Sequence, residues 1–192
     1  MKKRQFLLLA VLPIFAAMAL GFGGCDAISN ATNIDVNMPI KINIDASPST
    51  LPNSQANVAD VSENQTFKDY KDKIKGADIT KLTLNLSAYT GNPDAANALF
   101  SKIEYTLKFD PSYGDDTEYT IGAFENVRAS DFINTDKSID VNNAQLNSAL
   151  DKIKDRPKFT VYSKYTLANG TGTLTTCKGL LTINFKLTAS PL

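Results

Sequence analysis

Four carboxylates stand close together in the stretch DPSYGDDTE (110–118): Asp110, Asp115, Asp116 and Glu118. Hard oxygen ligands of this type suit Ca²⁺, which takes about six to eight of them. The spacing departs from that of an EF-hand loop because Gly114 is misplaced. The four therefore qualify as a metal candidate by residue type alone. The expectation is a solvated linker, with no bound metal and no cofactor. The two cysteines, Cys25 and Cys177, are the other residues with chemistry of their own. A reactive thiol needs a cationic neighbour or a helix N-terminus to lower its pKa. The chain has no histidine, so the usual general base and the commonest neutral-pH metal ligand are both missing. Cys177 is accordingly expected to be a small buried hydrophobe. Carboxylate pairs can run glycoside hydrolysis, but nothing in the sequence singles out a pair.

Charge excludes one class of partner. The chain is neutral, with 20 basic and 20 acidic residues. Lys2, Lys3 and Arg4 fall in the first 24 residues, where no acid does, so 17 basic and 20 acidic residues remain, a net charge of −3. A mildly acidic domain has no electrostatic footprint for nucleic acid, which calls for clustered Lys and Arg on one face.

The first 25 residues, MKKRQFLLLAVLPIFAAMALGFGGC, have the three-part layout of an export signal. A basic start precedes an apolar run from Phe6 to Leu20, and small residues Gly23 and Gly24 lead to Cys25. The run is about 15 residues, short of the ~20 a helix needs to span a bilayer. Pro13 inside it also argues against a straight span. The end FGGC resembles a bacterial lipobox, with Phe22 in place of the usual Leu three residues before the cysteine. That resemblance implies cleavage after residue 24 and acylation of Cys25 as the first residue of the mature protein. Two or three acyl chains at about 0.8 kcal/mol per buried CH₂ would make the membrane attachment stable. Cys177 would then have no partner for an intramolecular disulfide. Asp26 resembles an enterobacterial signal for inner-membrane retention, a rule other phyla do not share. The expected location is the cell envelope, at the outer membrane in preference to the inner.

Residues 25–33 read as a lipidated tether of small polar residues. From there the apolar residues alternate. Ile34, Val36, Met38, Ile40, Ile42 and Ile44 take every second place, which marks a strand with one buried face. Pro39 on the polar face suggests an edge or bulge. ASPSTLPNSQAN (46–57) reads as a loop. A helix is expected around Phe67, Tyr70 and Ile74, capped by Ser62 or Asn64, with Gly76 after its last turn. Strands follow through Leu82, Leu84 and Leu86 and then through Ile103, Tyr105, Leu107 and Phe109. In the second half come a weak strand at YTIGAFENV, a short one at SIDV, and a helix on Leu146, Leu150 and Ile153 capped by Asn142 or Asn143. Two last strands flank the hairpin signal Asn169–Gly170. Tyr89, Phe100 and Tyr162 fall on the outward parity.

DKIK occurs twice, from Asp72 and from Asp151, 79 residues apart. Carried outward, that offset places Phe67 on Leu146, Ile74 on Ile153, Leu82 on Val161 and Ile40 on Tyr119. An offset of 78 places Ile103 on Leu181 and Cys177 on Leu99. The order strand, short strand, helix, strand, strand thus recurs, and agreement across several element types is more than one local rule gives. The expectation is a tandem repeat, 34–112 and 113–192, folded as a single β-rich domain over 34–192.

The fold class expected is mainly β: a sandwich of about seven or eight mostly antiparallel strands with two short amphipathic helices. The layout of lipobox, tether and β-domain is similar to that of uncharacterised envelope lipoproteins of Gram-negative bacteria, especially of the Bacteroidetes type. That similarity is one of layout; it implies location and nothing about a substrate. The first function class expected is a non-enzymatic protein, attached to the membrane through Cys25, which binds or scaffolds an envelope protein or lipid. Two other classes are a carrier of an apolar ligand within the β-domain and a carboxylate-dependent hydrolase.

Overall fold

The computed structural model describes residues 33–46 and 48–191. The expected signal segment, Cys25 and all but the last residue of the tether lie outside the described residues. No helix among the described residues is long and apolar enough to cross a membrane.

Among the described residues, nine strands form two sheets, and every pairing between strands is antiparallel. They are β1 (Ile34–Ala46), β2 (Ser49–Leu51), β3 (Asn53–Asp60), β4 (Ile74–Asn92), β5 (Leu99–Phe109), β6 (Glu118–Arg128), β7 (Lys137–Asp140), β8 (Lys158–Leu167) and β9 (Gly172–Ala189). One sheet has the order β1-β9-β4-β7, with β2 also on β9; the other has the order β3-β8-β5-β6. The two sheets face each other across aromatic contacts. Phe159 on β8 lies 6.0 Å from Phe185 on β9, and Phe100 on β5 lies 6.2 Å from Tyr89 on β4. Two short α-helices, α1 (Gln65–Tyr70) and α2 (Ala144–Leu150), and several 3₁₀ turns join the strands among the described residues.

The period-two pattern builds the core. Leu82, Leu84 and Leu86 on β4 and Ile103, Tyr105, Leu107 and Phe109 on β5 are all buried, while their neighbours in sequence face outward. The helices are held to this core by one stripe each. Phe67 on α1, and Leu146 and Leu150 on α2, are fully buried. Asn64 caps α1 by accepting from the Thr66 and Phe67 amides, and Asn143 caps α2 by accepting from the Gln145 and Leu146 amides. The two caps, and the residues they hold, are each 79 positions apart.

The same exchange relates the sheets. Replacing each strand by its counterpart in the other half (β1 by β6, β3 by β7, β4 by β8, β5 by β9) turns β1-β9-β4-β7 into β6-β5-β8-β3. That is the second sheet read backwards. Each sheet therefore draws strands from both halves. Individual pairs obey the rule as well: Leu82 faces Ile183, and Val161 faces Leu107; Ile40 faces Ile183, and Tyr119 faces Leu107. Gly76, directly after the first DKIK, packs against Asp151, the first residue of the second: a Cβ on Gly76 would stand 2.8 Å from Asp151 Oδ1.

Four expectations change. With β4 and β8 offset by 79, the ladders match Ile183 to Leu107, an offset of 76 where 78 was expected; Cys177 then corresponds to Ser101. A slip of two residues leaves a period-two pattern intact, so the sequence pattern does not detect it. Residues 46–57 are largely β2 and β3, which are stabilised by pairing with β9 and β8 and not by an apolar face of their own. Helix α1 ends at Tyr70 and, after one 3₁₀ turn, Ile74 opens β4. Lys73 ends that 3₁₀ turn and its Nζ donates to the Pro191 carbonyl at 2.9 Å, while Lys75 lies in β4. Finally, Tyr89 and Phe100 are buried, because register shifts at Leu86/Ala88 and Phe100/Lys102 reverse the parity. Tyr162 is half-buried on the outer side of β8.

Candidate functional site

The four carboxylates of 110–118 are not brought together. Asp110 accepts from the Ser112 amide at 2.9 Å and caps a 3₁₀ turn, Pro111–Tyr113. Asp116 pairs with Lys108 at 3.2 Å, and Glu118 accepts from Thr106 Oγ1. Asp115 instead pairs with Arg156. Among the described residues, no three acidic, cysteine or histidine side chains gather closely enough to hold a metal ion.

Cys177 is buried, and burial pushes its thiol up to about 11. It lines an apolar cavity between the sheets with Leu84, Leu86, Phe100, Ile103 and Tyr165. The cavity holds about 10 Å³, roughly the room one water needs. Small-molecule sites are typically about 300–1,000 Å³. Close to it lie three polar groups with no partner among the described residues, the hydroxyls of Tyr105, Ser163 and Tyr165. Burial raises the pKa of both tyrosines. A buried hydroxyl without a partner costs about 1–3 kcal/mol of desolvation. Replacing Tyr105 by Phe should therefore raise stability by about 1 kcal/mol or more, measured by urea unfolding with the slope unchanged. A loss of stability would mean that the hydroxyl has a partner.

The polar feature with the most structure is a groove of about 440 Å³ beside α2. Its walls are Asp115 and Thr117 from the connection into β6, Tyr119 on β6, Gln145, Ser148 and Ala149 on α2, and Lys152 and Arg156 from the turns after α2. The N-cap residue Asn143 ties helix to strand by donating to the Thr120 carbonyl at 2.7 Å. Asp115 is the anchor. It accepts from the Thr117 amide at 3.0 Å, from Arg156 Nη1 at 3.0 Å and from the Tyr119 hydroxyl at 3.3 Å. The Thr117 amide foremost, with Tyr119 and Arg156, holds the Asp115 carboxyl below the usual carboxylate range. The side chains of Arg156 and Asp115 are only 25% and 15% exposed, so the pair forms a fixed wall and not a loose surface contact. Sequence reasoning named Asp115 for a different role. It missed the other walls, which are spread over some forty residues and converge only through the α2–β6 contact.

The chain is thus an antiparallel two-sheet β protein with interleaved halves and a polar groove beside its second helix. No family model matches it, and no curated protein matches it. Among solved structures it is similar to a chain from Desmodium yellow mottle tymovirus, at 16% identity and a TM-score of 0.32, over 100% of this chain and 98% of that one. A score of that size carries no argument about fold or function.

Proposed function

We propose that this is a lipid-anchored protein of the bacterial cell envelope, acylated at Cys25, whose β-domain has a non-enzymatic binding or scaffolding role. The observation that carries this reading is the sequence of residues 1–25, in which a basic start, a short apolar run and Gly23-Gly24-Cys25 follow in order. The interior supports a non-catalytic role, since Cys177 is buried with a raised pKa and the sequence offers no histidine. The outer faces support a binding role. Val58 is 77% exposed on the edge strand β3, whose outer edge carries no partner strand among the described residues, an arrangement open to pairing with another chain. We further infer that 34–112 and 113–192 are a duplicated unit, supported by the 79-residue spacing of the helix caps and by the exchanged sheet orders.

The eight residues between Cys25 and β1 span at most about 30 Å when extended. The domain would therefore work close to the bilayer, within reach of membrane-bound neighbours, at the outer membrane in preference to the inner. Replacing Cys25 by Ser should move the protein from the membrane to the soluble fraction of its native cell and abolish incorporation of labelled fatty acid. Retention of the variant in the membrane would overturn the anchor.

A further inference from the structure

The groove beside α2 has a built-in comparison within the same chain. At the 79-residue offset, its walls Thr117, Tyr119, Ala149 and Arg156 correspond to Met38, Ile40, Tyr70 and Ala77. In the first half these four positions are apolar or aromatic and packed against the core. Met38 and Ala77 are buried, and Ile40 and Tyr70 are half-buried against the core. The lysine at the equivalent of Lys152 is Lys73, whose ammonium is engaged by the Pro191 carbonyl. The second half departs from this at Asp115 against Val36, Thr117 against Met38, Ala149 against Tyr70 and Arg156 against Ala77, while Gln145, Ser148 and Lys152 stand against the polar Thr66, Asp69 and Lys73. A tyrosine is replaced by alanine, which opens space, and two buried apolar residues are replaced by threonine and arginine, which line it. Nothing in the packing of the sandwich requires this, because the first half closes the same place with side chains of its own.

We propose that the groove is a binding site for a small polyhydroxylated carboxylate, with an acidic monosaccharide as the class that fits it. The lining charges are Asp115, Lys152 and Arg156, a net charge of +1. Arg156 neutralises Asp115 with one of its N–H groups and keeps further donors in its planar fork, the geometry that grips a carboxylate. Lys152 makes no ion pair among the described residues and stands four residues before Arg156, one helical turn away. Thr117, Gln145, Ser148 and the Tyr119 hydroxyl supply neutral donors and acceptors for sugar hydroxyls. The volume lies in the range of small-molecule sites. A phosphate is a poorer match, because its second charge exceeds the lining's net +1 and meets Asp115. The site stands on the β-domain alone and does not depend on acylation of Cys25.

Titrating the folded protein with glucuronate, and separately with glucose and with inorganic phosphate, tests this by calorimetry or NMR shift mapping. Glucuronate should bind saturably, with shifts at Tyr119, Ala149 and Lys152, and at least about tenfold tighter than glucose or phosphate. The variant Ala149→Tyr, which copies the first half, should abolish binding. Lys152→Gln, at an exposed position that leaves the fold intact, should weaken it about tenfold. No saturable binding at tens of millimolar glucuronate, equal binding of glucose, tighter binding of phosphate, or an unaltered affinity in Lys152→Gln would each overturn the proposal.

Discussion

Replacing Phe67 by Ala should cost about 3–5 kcal/mol of stability, and replacing Leu146 by Ala about 2–5 kcal/mol. The helices they belong to are short, six and seven residues, and isolated helices of that length are unstable in water. Each helix is held by its side-chain anchors, by the asparagine cap and by continuity with the strands that follow. Phe67 and Leu146 are both fully buried, and each backbone amide also donates to its cap, Asn64 or Asn143. Truncation leaves a cavity at the seam between helix and sheets, where the backbone is already committed by paired strands on both sides. A domain of this size loses about 2–4 °C of melting temperature per kcal/mol, so either variant should melt at least about 4 °C lower. If the helices were surface caps with no share in the core, both losses would fall below about 1 kcal/mol.

Replacing Gly179 by Ala should cost about 3 kcal/mol, the upper end of overpacking costs. Gly179 lies on β9 between Leu86 on β4 and Ile44 on β1. A Cβ there would collide with the Asn85 carbonyl oxygen and stand 3.0 Å from the Leu86 Cα. Both obstacles are backbone of a central strand, so no rotamer change relieves them, and relief requires moving β4 away from β9. Those two strands are the longest in the fold and come from opposite halves, which makes their contact the main seam between the halves. Thermal unfolding reads the effect. An Ala variant as stable as the parent would mean that this seam yields easily. In contrast, a Cβ on Gly170 would meet nothing within 4 Å, and the constraint at that residue is its φ of 93° in the turn between β8 and β9.

Much of this fold was legible because burial in a sheet writes itself as alternation. β1, β5, β8, β9 and the middle of β4 follow directly from the spacing of Ile, Leu, Phe and Tyr, whereas the start of β4 at Ile74 read as the end of a helix. The hairpin at Asn169–Gly170 follows from its turn residues. The asparagine caps were legible to within one or two residues, and their common offset of 79 was readable once DKIK had drawn attention to it. What failed was whatever depends on a partner strand. β3 carries Asn53, Gln55 and Asn57 on its inner side, only half-buried, and is a strand because β8 lies alongside. Tyr89 and Phe100 have outward parity by simple counting, and a bulge on each strand turns them in. The 78-residue offset for the last strand missed a slip of two because hydrophobic parity is blind to even slips.

The groove was illegible for a different reason. Its residues are ordinary surface types, and no two of its charged walls are adjacent in sequence. Asp115 read as part of an acidic cluster, whereas in the fold it is separated from Asp110, Asp116 and Glu118 by the partners each has found. The 79-residue alignment of the halves held the signal, but it was read for matching apolar positions and not for differences. Tyr70 against Ala149 and Ala77 against Arg156 are the substitutions that open and charge the site, and they stand out only when the two halves are aligned.

Acylation of Cys25 as the first residue of the mature protein is tested most directly by mass spectrometry of the protein extracted from its own envelope. The expected spectrum contains an N-terminal peptide that begins at Cys25 and carries the mass of a diacylglyceryl group, with no peptide from residues 1–24. A free, unmodified Cys25 thiol, or mature protein that retains residues 1–24, would contradict the lipid anchor.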